Sequence, residues 1–288
     1  MDTSVGDSVQ SSLNLILPIK SWLDFKESSA LIHFKERQIT REREAIGSLH
    51  FARFVELRDH NHLGYFTVVD GDFRAYLRDF INDIGPVFDS LIKHLVDGPP
   101  VPCEGQTFLD WSAAHHQEPI VFYSAYPTLT VKAIRQWTGT HRGGVDELWE
   151  QSALTLVLPV KSPTHFAALS RLLTQFVPQL NSALDTIGTV YFLRFVPWGT
   201  QAMVLVAEHD SSPKQLAHDL SEHLGPMFDE ILENVIDGPP TPVQDHTRAF
   251  TDWIIAHNLE TWGLYSAYPT LSLQNIRVLA SRSELASI

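Results

Sequence analysis

The string YSAYPTL stands at Tyr123–Leu129 and again, letter for letter, at Tyr265–Leu271. Four more blocks recur in the same order. LNLILPIK at Leu13–Lys20 returns as LTLVLPVK at Leu154–Lys161, and IGSLHFARF at Ile46–Phe54 as IGTVYFLRF at Ile187–Phe195. LVDGPP at Leu95–Pro100 returns as VIDGPP at Val235–Pro240, and FLDWSAAH at Phe108–His115 as FTDWIIAH at Phe250–His257. The spacing stays between 140 and 142 residues throughout. A period of that length is a duplicated domain, not a solenoid repeat. It divides the chain into a polar leader over 1–12, one unit over 13–137, a Gly- and charge-bearing linker over 138–152, a second unit over 153–280 and a tail over 281–288.

Each unit can be read against its twin. LNLILPIK is an apolar strand. A helix follows, begun at Ser162-Pro163 in the second unit by a capping serine and a proline at the first helical position. In the first unit it begins near Ser21 and runs into KERQITRERE, whose charges read as a solvated face. Two strands come next, SLHFARFVEL and LGYFTVVD, then a second helix ending at DGPP, where Gly reads as the left-handed cap and Pro as the stop. A shorter helix, the strand IVFYSAY or WGLYSAY and a brief closing helix complete the unit. The order β-α-β-β-α-α-β is α+β and ferredoxin-like with one added helix.

Two such units in one chain resemble the dimeric α+β barrel superfamily in its fused form, in which the two antiparallel sheets face each other. The resemblance covers nearly the whole chain as architecture and carries no branch-specific motif. It implies a cavity for a small, largely apolar molecule. The superfamily includes haem enzymes of the dye-decolourising peroxidase and chlorite dismutase types, and also cofactor-free monooxygenases, cyclases and lyases. Haem is therefore a cofactor this resemblance allows, with a helix histidine, His94 or His223, as axial ligand. His218 offers a third such position. The molecule is expected as a monomeric fused barrel or a homodimer.

The totals exclude other classes. A net charge of −13 opposes phosphate backbones and anionic lipid, so nucleic acid and membrane surfaces are not expected partners. No apolar run reaches the length of a span. The polar N-terminus lacks the basic and apolar regions of a secretory signal, and Cys103 is the single cysteine. Both points favour a cytoplasmic setting. There is no HExxH, no thiolate set, no Gly-rich phosphate loop and no GxSxG elbow.

Duplication also sorts the polar residues. Groups present in both copies serve the shared scaffold, whereas a group present once is a candidate for chemistry. Arg53 and Arg194 are matched within apolar strands. They are read either as internal pairs with Asp79 and Asp219 on the next helix, or as cavity residues binding an anion or an oxyanion. His50 is opposed by Tyr191 in the twin, and a mid-strand histidine can serve as a general base near neutral pH. Strand alternation sets His50 on the face of Ala52 and Phe54, opposite Arg53. His50 and Arg53 are thus the candidate catalytic pair, and Tyr126, Tyr191, Arg194 and Tyr268 the candidate cavity lining. The reading is a small-molecule enzyme, oxidative and haem-dependent if the peroxidase-like branch applies. The alternative is a non-catalytic binding or accessory protein of the same fold.

Overall fold

A computed structural model describes residues 9–57, 61–103, 105–140 and 151–286. Most of the leader and linker, His60 in the first hairpin loop and the last two residues lie outside them. In chain order the elements are β1 (Gln10–Pro18), α1 (Trp22–Ala45), β2 (Leu49–Leu57), β3 (His62–Asp70), α2 (Phe73–Ile92), α3 (Gly105–His115), β4 (Val121–Ser124) and α4 (Val131–Thr140). The second half repeats them as β5 (Ser152–Pro159), α5 (Pro163–Ile187), β6 (Val190–Trp198), β7 (Ala202–His209), α6 (Pro213–Leu232), α7 (Thr247–His257), β8 (Thr261–Ser266) and α8 (Leu273–Ala286). The protein is α+β, with two four-stranded antiparallel sheets of ferredoxin-like units, ordered β1-β3-β2-β8 and β4-β6-β7-β5.

The sheet orders differ from the sequence reading in one strand of each unit. Each last strand leaves its own half: β8 pairs with β2, and β4 pairs with β6. Unit 1 is accordingly built from 1–117, 127–145 and 260–269, and unit 2 from 118–126, 146–259 and 270–288. Local sequence cannot distinguish these pairings, because the exchanged strands share the YSAYPTL string and dock in matched registers. Ser266 lies opposite Phe51 as Ser124 lies opposite Phe192.

The local signals act as their chemistry requires. Ser21, Ser162 and Ser212 each accept a backbone N–H from three residues on, capping α1, α5 and α6. Thr130 caps α4 by accepting from the Ala133 N–H at 3.2 Å. The DGPP glycines do not take the left-handed conformation; in the second copy Asp237 does, at φ 55°. Glycine is needed there for space. A Cβ on Gly98 would stand 2.8 Å from the Ile92 carbonyl oxygen, and one on Gly238 2.9 Å from Leu232 Cδ2.

Unit 2 holds a layer of aliphatic side chains between its helices and sheet, among them Leu156, Leu169, Leu184, Leu205, Leu216 and Leu220. The corresponding layer of unit 1 is different, and the site lies there.

A candidate site in the helix–sheet layer of unit 1

The candidate His50 is buried and sits in a β-bulge: Leu49 opposes Val69 and Phe51 opposes Val68, leaving His50 as the extra residue. The bulge removes it from the alternation the sequence implied and re-aims its ring. Nε2 lies 2.8 Å from Asp70 Oδ1, and Nδ1 lies 2.8 Å from the Tyr268 hydroxyl. A carboxylate only accepts, so the ring proton is on Nε2 and Nδ1 accepts from Tyr268. Burial depresses the histidine pKa, against the opposing pull of Asp70. The other Asp70 oxygen accepts the Val131 N–H at 2.9 Å, at the start of α4.

Unit 2 repeats this frame. Tyr191 is the extra residue of a matched bulge, between Val190 opposite His209 and Phe192 opposite Glu208. Its hydroxyl donates to the Leu271 carbonyl at 2.7 Å and lies 3.3 Å from Asp210 Oδ2, which accepts the Leu273 N–H at the start of α8. Burial pushes both the Tyr191 phenol and the Asp210 carboxyl up. Tyr126 stands edge-on to Tyr191 and Phe192, as Tyr268 does to His50 and Phe51. In both units an aspartate at the end of the third strand accepts a backbone N–H at the start of the closing helix and lies against the bulged residue. This is a shared scaffold in which His and Tyr perform the same task.

Arg194 and Glu208 form a fully buried two-point pair, at 2.9 and 3.3 Å. The expected pairing with helix acids is not found: Asp219 accepts from Gln215 instead, and Asp79 is exposed. The partner is the neighbouring strand because Arg194 and Glu208 project from adjacent strands on one face. Arg53 is also fully buried, and alternation directs it away from the face on which Phe54 lies.

Arg43 is the residue the sequence reading passed over. It lies in the KERQITRERE run, whose charges read as a solvated face, yet it is only 1% exposed. Its twin, 141 residues on, is Leu184. Nη1 donates to the Gly263 carbonyl at 2.7 Å. That carbonyl is available because Gly263, at φ +57°, sits in a bulge of β8, where Ala52 pairs with Tyr265 and Phe54 with Trp262. No such bulge interrupts β4, whose residue in the place of Gly263 is Val121. The guanidinium lies over the Phe54 and Tyr65 rings, at 5.3 and 5.7 Å from their centroids. Nε and Nη2 are buried with no hydrogen-bond partner among the described residues.

Around Arg43 runs a narrow apolar cleft between α1, α2 and the sheet, lined also by Ile32, Ile39, Phe54, Phe80 and Phe88. Its space for a water-sized sphere is about 10 Å³, room for one water. Beside it the Tyr65 and Tyr76 hydroxyls meet at 2.8 Å. Burial raises the Tyr76 phenol well above its usual range, so it is a neutral donor at physiological pH. Tyr65 and Tyr76 correspond to Leu205 and Leu216. Three polar groups of the layer therefore exist in one copy only. The mismatch between copies that marks His50 against Tyr191 marks these residues too, on helices as well as strands.

The histidines expected as haem ligands do not fit that group. His94 is buried with Nδ1 3.0 Å from Asp24 Oδ1 and 3.6 Å from Glu27 Oε2, at the start of α1. His223 lies on the exposed side of α6, as does His218. Neither His94 nor His223 lines the cleft, and the unit 2 layer is filled by leucines. Asp24, Glu27 and His94 place potential cation ligands within 4.8 Å of one another. The Asp24–His94 hydrogen bond and the N-terminal dipole of α1 account for the arrangement. His115 and His257 hold the Trp111 and Trp253 carbonyls in matched fashion, at 2.8 Å each. Cys103 is buried, and its thiol is pushed up by burial and by Asp89, which disfavours the thiolate.

No family model and no curated protein matches the chain. Among solved structures it is similar to a presumed monooxygenase from Lactobacillus acidophilus NCFM, with TM-score 0.44, 8% identity, and 79% of this chain and 89% of that one covered. A presumed monooxygenase from Fusobacterium nucleatum gives TM-score 0.41 and 10% identity over 90% and 95%. A chlorite dismutase from Candidatus Nitrospira defluvii gives 0.31 and 13% over 94% and 96%. At such scores no residue, activity or cofactor is carried over from them.

Proposed function

We propose that unit 1 is the working half of the molecule. Its helix–sheet layer binds a small, largely apolar molecule beside Arg43, Tyr65 and Tyr76, and the protein acts on that molecule as a small-molecule enzyme. The observation that carries this reading is the buried guanidinium in an aromatic cleft, at a position where the twin unit has leucine. A buried charge is costly unless paired and hydrogen-bonded, and this one keeps two donor nitrogens unoccupied. Unit 2 shows that the fold does not need it.

The chemistry such a site can perform is polarisation. Arg43 would hold an oxygen on which negative charge develops, and the Tyr76–Tyr65 pair would offer a neutral proton donor within the same dry layer. His50 and Arg53 are assigned supporting roles: His50 fixes α4 through Asp70, and Arg53 lies on the other face of the sheet from Phe54. A second reading, a binding protein without turnover, is favoured by one observation. Among the described residues, the cleft lining includes no carboxylate and no histidine to act as a base.

The test is binding of the neutral fluorescent probe 1-aminoanthracene to the purified protein, followed by turnover assays on a panel of phenols and carbonyl compounds. Saturable binding that is lost in Val87→Trp, which fills the cleft, is the expected result. Binding unaffected by Val87→Trp would move the site elsewhere. Binding without turnover across the panel would select the second reading.

A further inference from the structure

Building on the reading of unit 1 as a ligand site, we infer that its ligand carries a carboxylate and docks it side-on against Arg43. The geometry of the guanidinium carries this. Nη1, on the side of the chain's own Cδ, is spent on the Gly263 carbonyl. The two nitrogens left over, Nε and Nη2, share one edge of the plane and point their N–H bonds in parallel. That edge matches the two oxygens of a carboxylate, forming two charge-assisted hydrogen bonds. A lone carbonyl or hydroxyl oxygen would have to be shared between the two donors and would leave the charge uncompensated.

The surroundings agree with an anionic head on an apolar body. No described carboxylate lies within ion-pairing distance of Arg43; the adjacent Glu42 has Oε1 held by Gln38 instead. The Tyr65 and Phe54 rings cover the guanidinium and keep it poorly hydrated, which strengthens its attraction for an anion. Beyond the head, Ile32, Ile39, Phe80, Phe88 and Leu91 offer only hydrocarbon and ring surface. The ligand class is therefore an amphipathic monocarboxylate, an aryl-alkanoic or medium-chain acid. The cleft as it stands is narrow, so binding requires the α1–α2 wall to yield.

The experiment compares 4-phenylbutyrate with 4-phenylbutanol, each displacing 1-aminoanthracene from the full chain at pH 7.5. In wild type the acid should bind at least tenfold more tightly than the alcohol. In Arg43→Leu the preference should vanish while the alcohol still binds, and Arg43→Lys, which keeps the charge without the fork, should retain only a small part of it. Equal binding of acid and alcohol by wild type would overturn the carboxylate assignment and leave the cleft standing. An acid preference that survives in Arg43→Leu would also overturn it. If neither compound nor the probe binds, the cleft reading itself fails, and this inference with it. Should Arg43→Leu not fold, the wild-type pair and Arg43→Lys still decide the matter.

Discussion

The two helix–sheet layers are built on one plan and filled differently. In unit 2, Leu184, Leu205 and Leu216 close the space between helices and sheet. In unit 1 the same positions are Arg43, Tyr65 and Tyr76, and a bulge at Gly263 turns a carbonyl toward the guanidinium. The strand-end frames, by contrast, are nearly interchangeable: Asp70–His50 and Asp210–Tyr191 anchor α4 and α8 in the same way. A duplicated fold thus has its own control. What both copies keep is explained by folding, and what one copy alone keeps at a cost in desolvation asks for another explanation.

The comparison can be broken most sharply by transplanting the charge. Leu184→Arg places a guanidinium in a leucine layer with no bulge carbonyl to receive it, and should lower stability by about 4 kcal/mol or prevent folding. The reciprocal Arg43→Leu should change ligand-free stability by less than ~1.5 kcal/mol in either direction. Urea unfolding of both variants measures the difference, and equal losses would mean that Arg43 is simply structural.

Next in size is the buried pair of unit 2. Glu208→Ala removes the two-point partner of the buried Arg194 guanidinium and should cost about 3–5 kcal/mol, whereas replacing both residues with apolar ones of similar volume should be far milder. Thermal or urea unfolding of the single and double variants separates the two effects.

The strand-end frames predict a pH effect. The folded-state pKa of His50 lies below its unfolded value of about 6.5, because burial disfavours the cation. The unfolded chain then binds more protons at acidic pH, so this residue's contribution is fully present above about pH 6.5 and is lost as pH falls toward the folded pKa. His50→Tyr, which installs the residue of unit 2, should fold and should lose less stability between pH 7 and pH 5 than the wild type. Parallel pH profiles for the two proteins would show that His50 is not buried in neutral form. The smallest effect is that of Tyr76→Phe, about 1 kcal/mol for one buried hydroxyl hydrogen bond, read as a shift in the urea midpoint at constant slope.

Much of the fold was legible because its signals are local. Alternation marks β1 and β5, serine caps and following prolines mark α5 and α6, and the repeated blocks mark the duplication. The candidate site was legible only in part. His50 stood out as a mismatch inside a matched strand, but what a bulged histidine touches depends on Asp70 and Tyr268, which are 20 and 218 residues away. Arg43 looked like one charge among many, because a helix in a charged run gives no sign of which position faces inward. The α1 stripe that buries Phe25, Ile32, Ile39 and Arg43 is sparse, and its last member is an arginine.

By itself the sequence determined that there are two homologous units and what elements each contains, because those follow from short-range pattern and from self-similarity. Only the tertiary structure decided which sheet each YSAYPTL strand joins, since identical strings dock equally well on HFARF and YFLRF. It alone also decided that Arg43 is buried, through a carbonyl 220 residues away that a single glycine bulge turns toward it. Pairing partners and burial are relations between distant segments, and no residue carries them in its immediate neighbours.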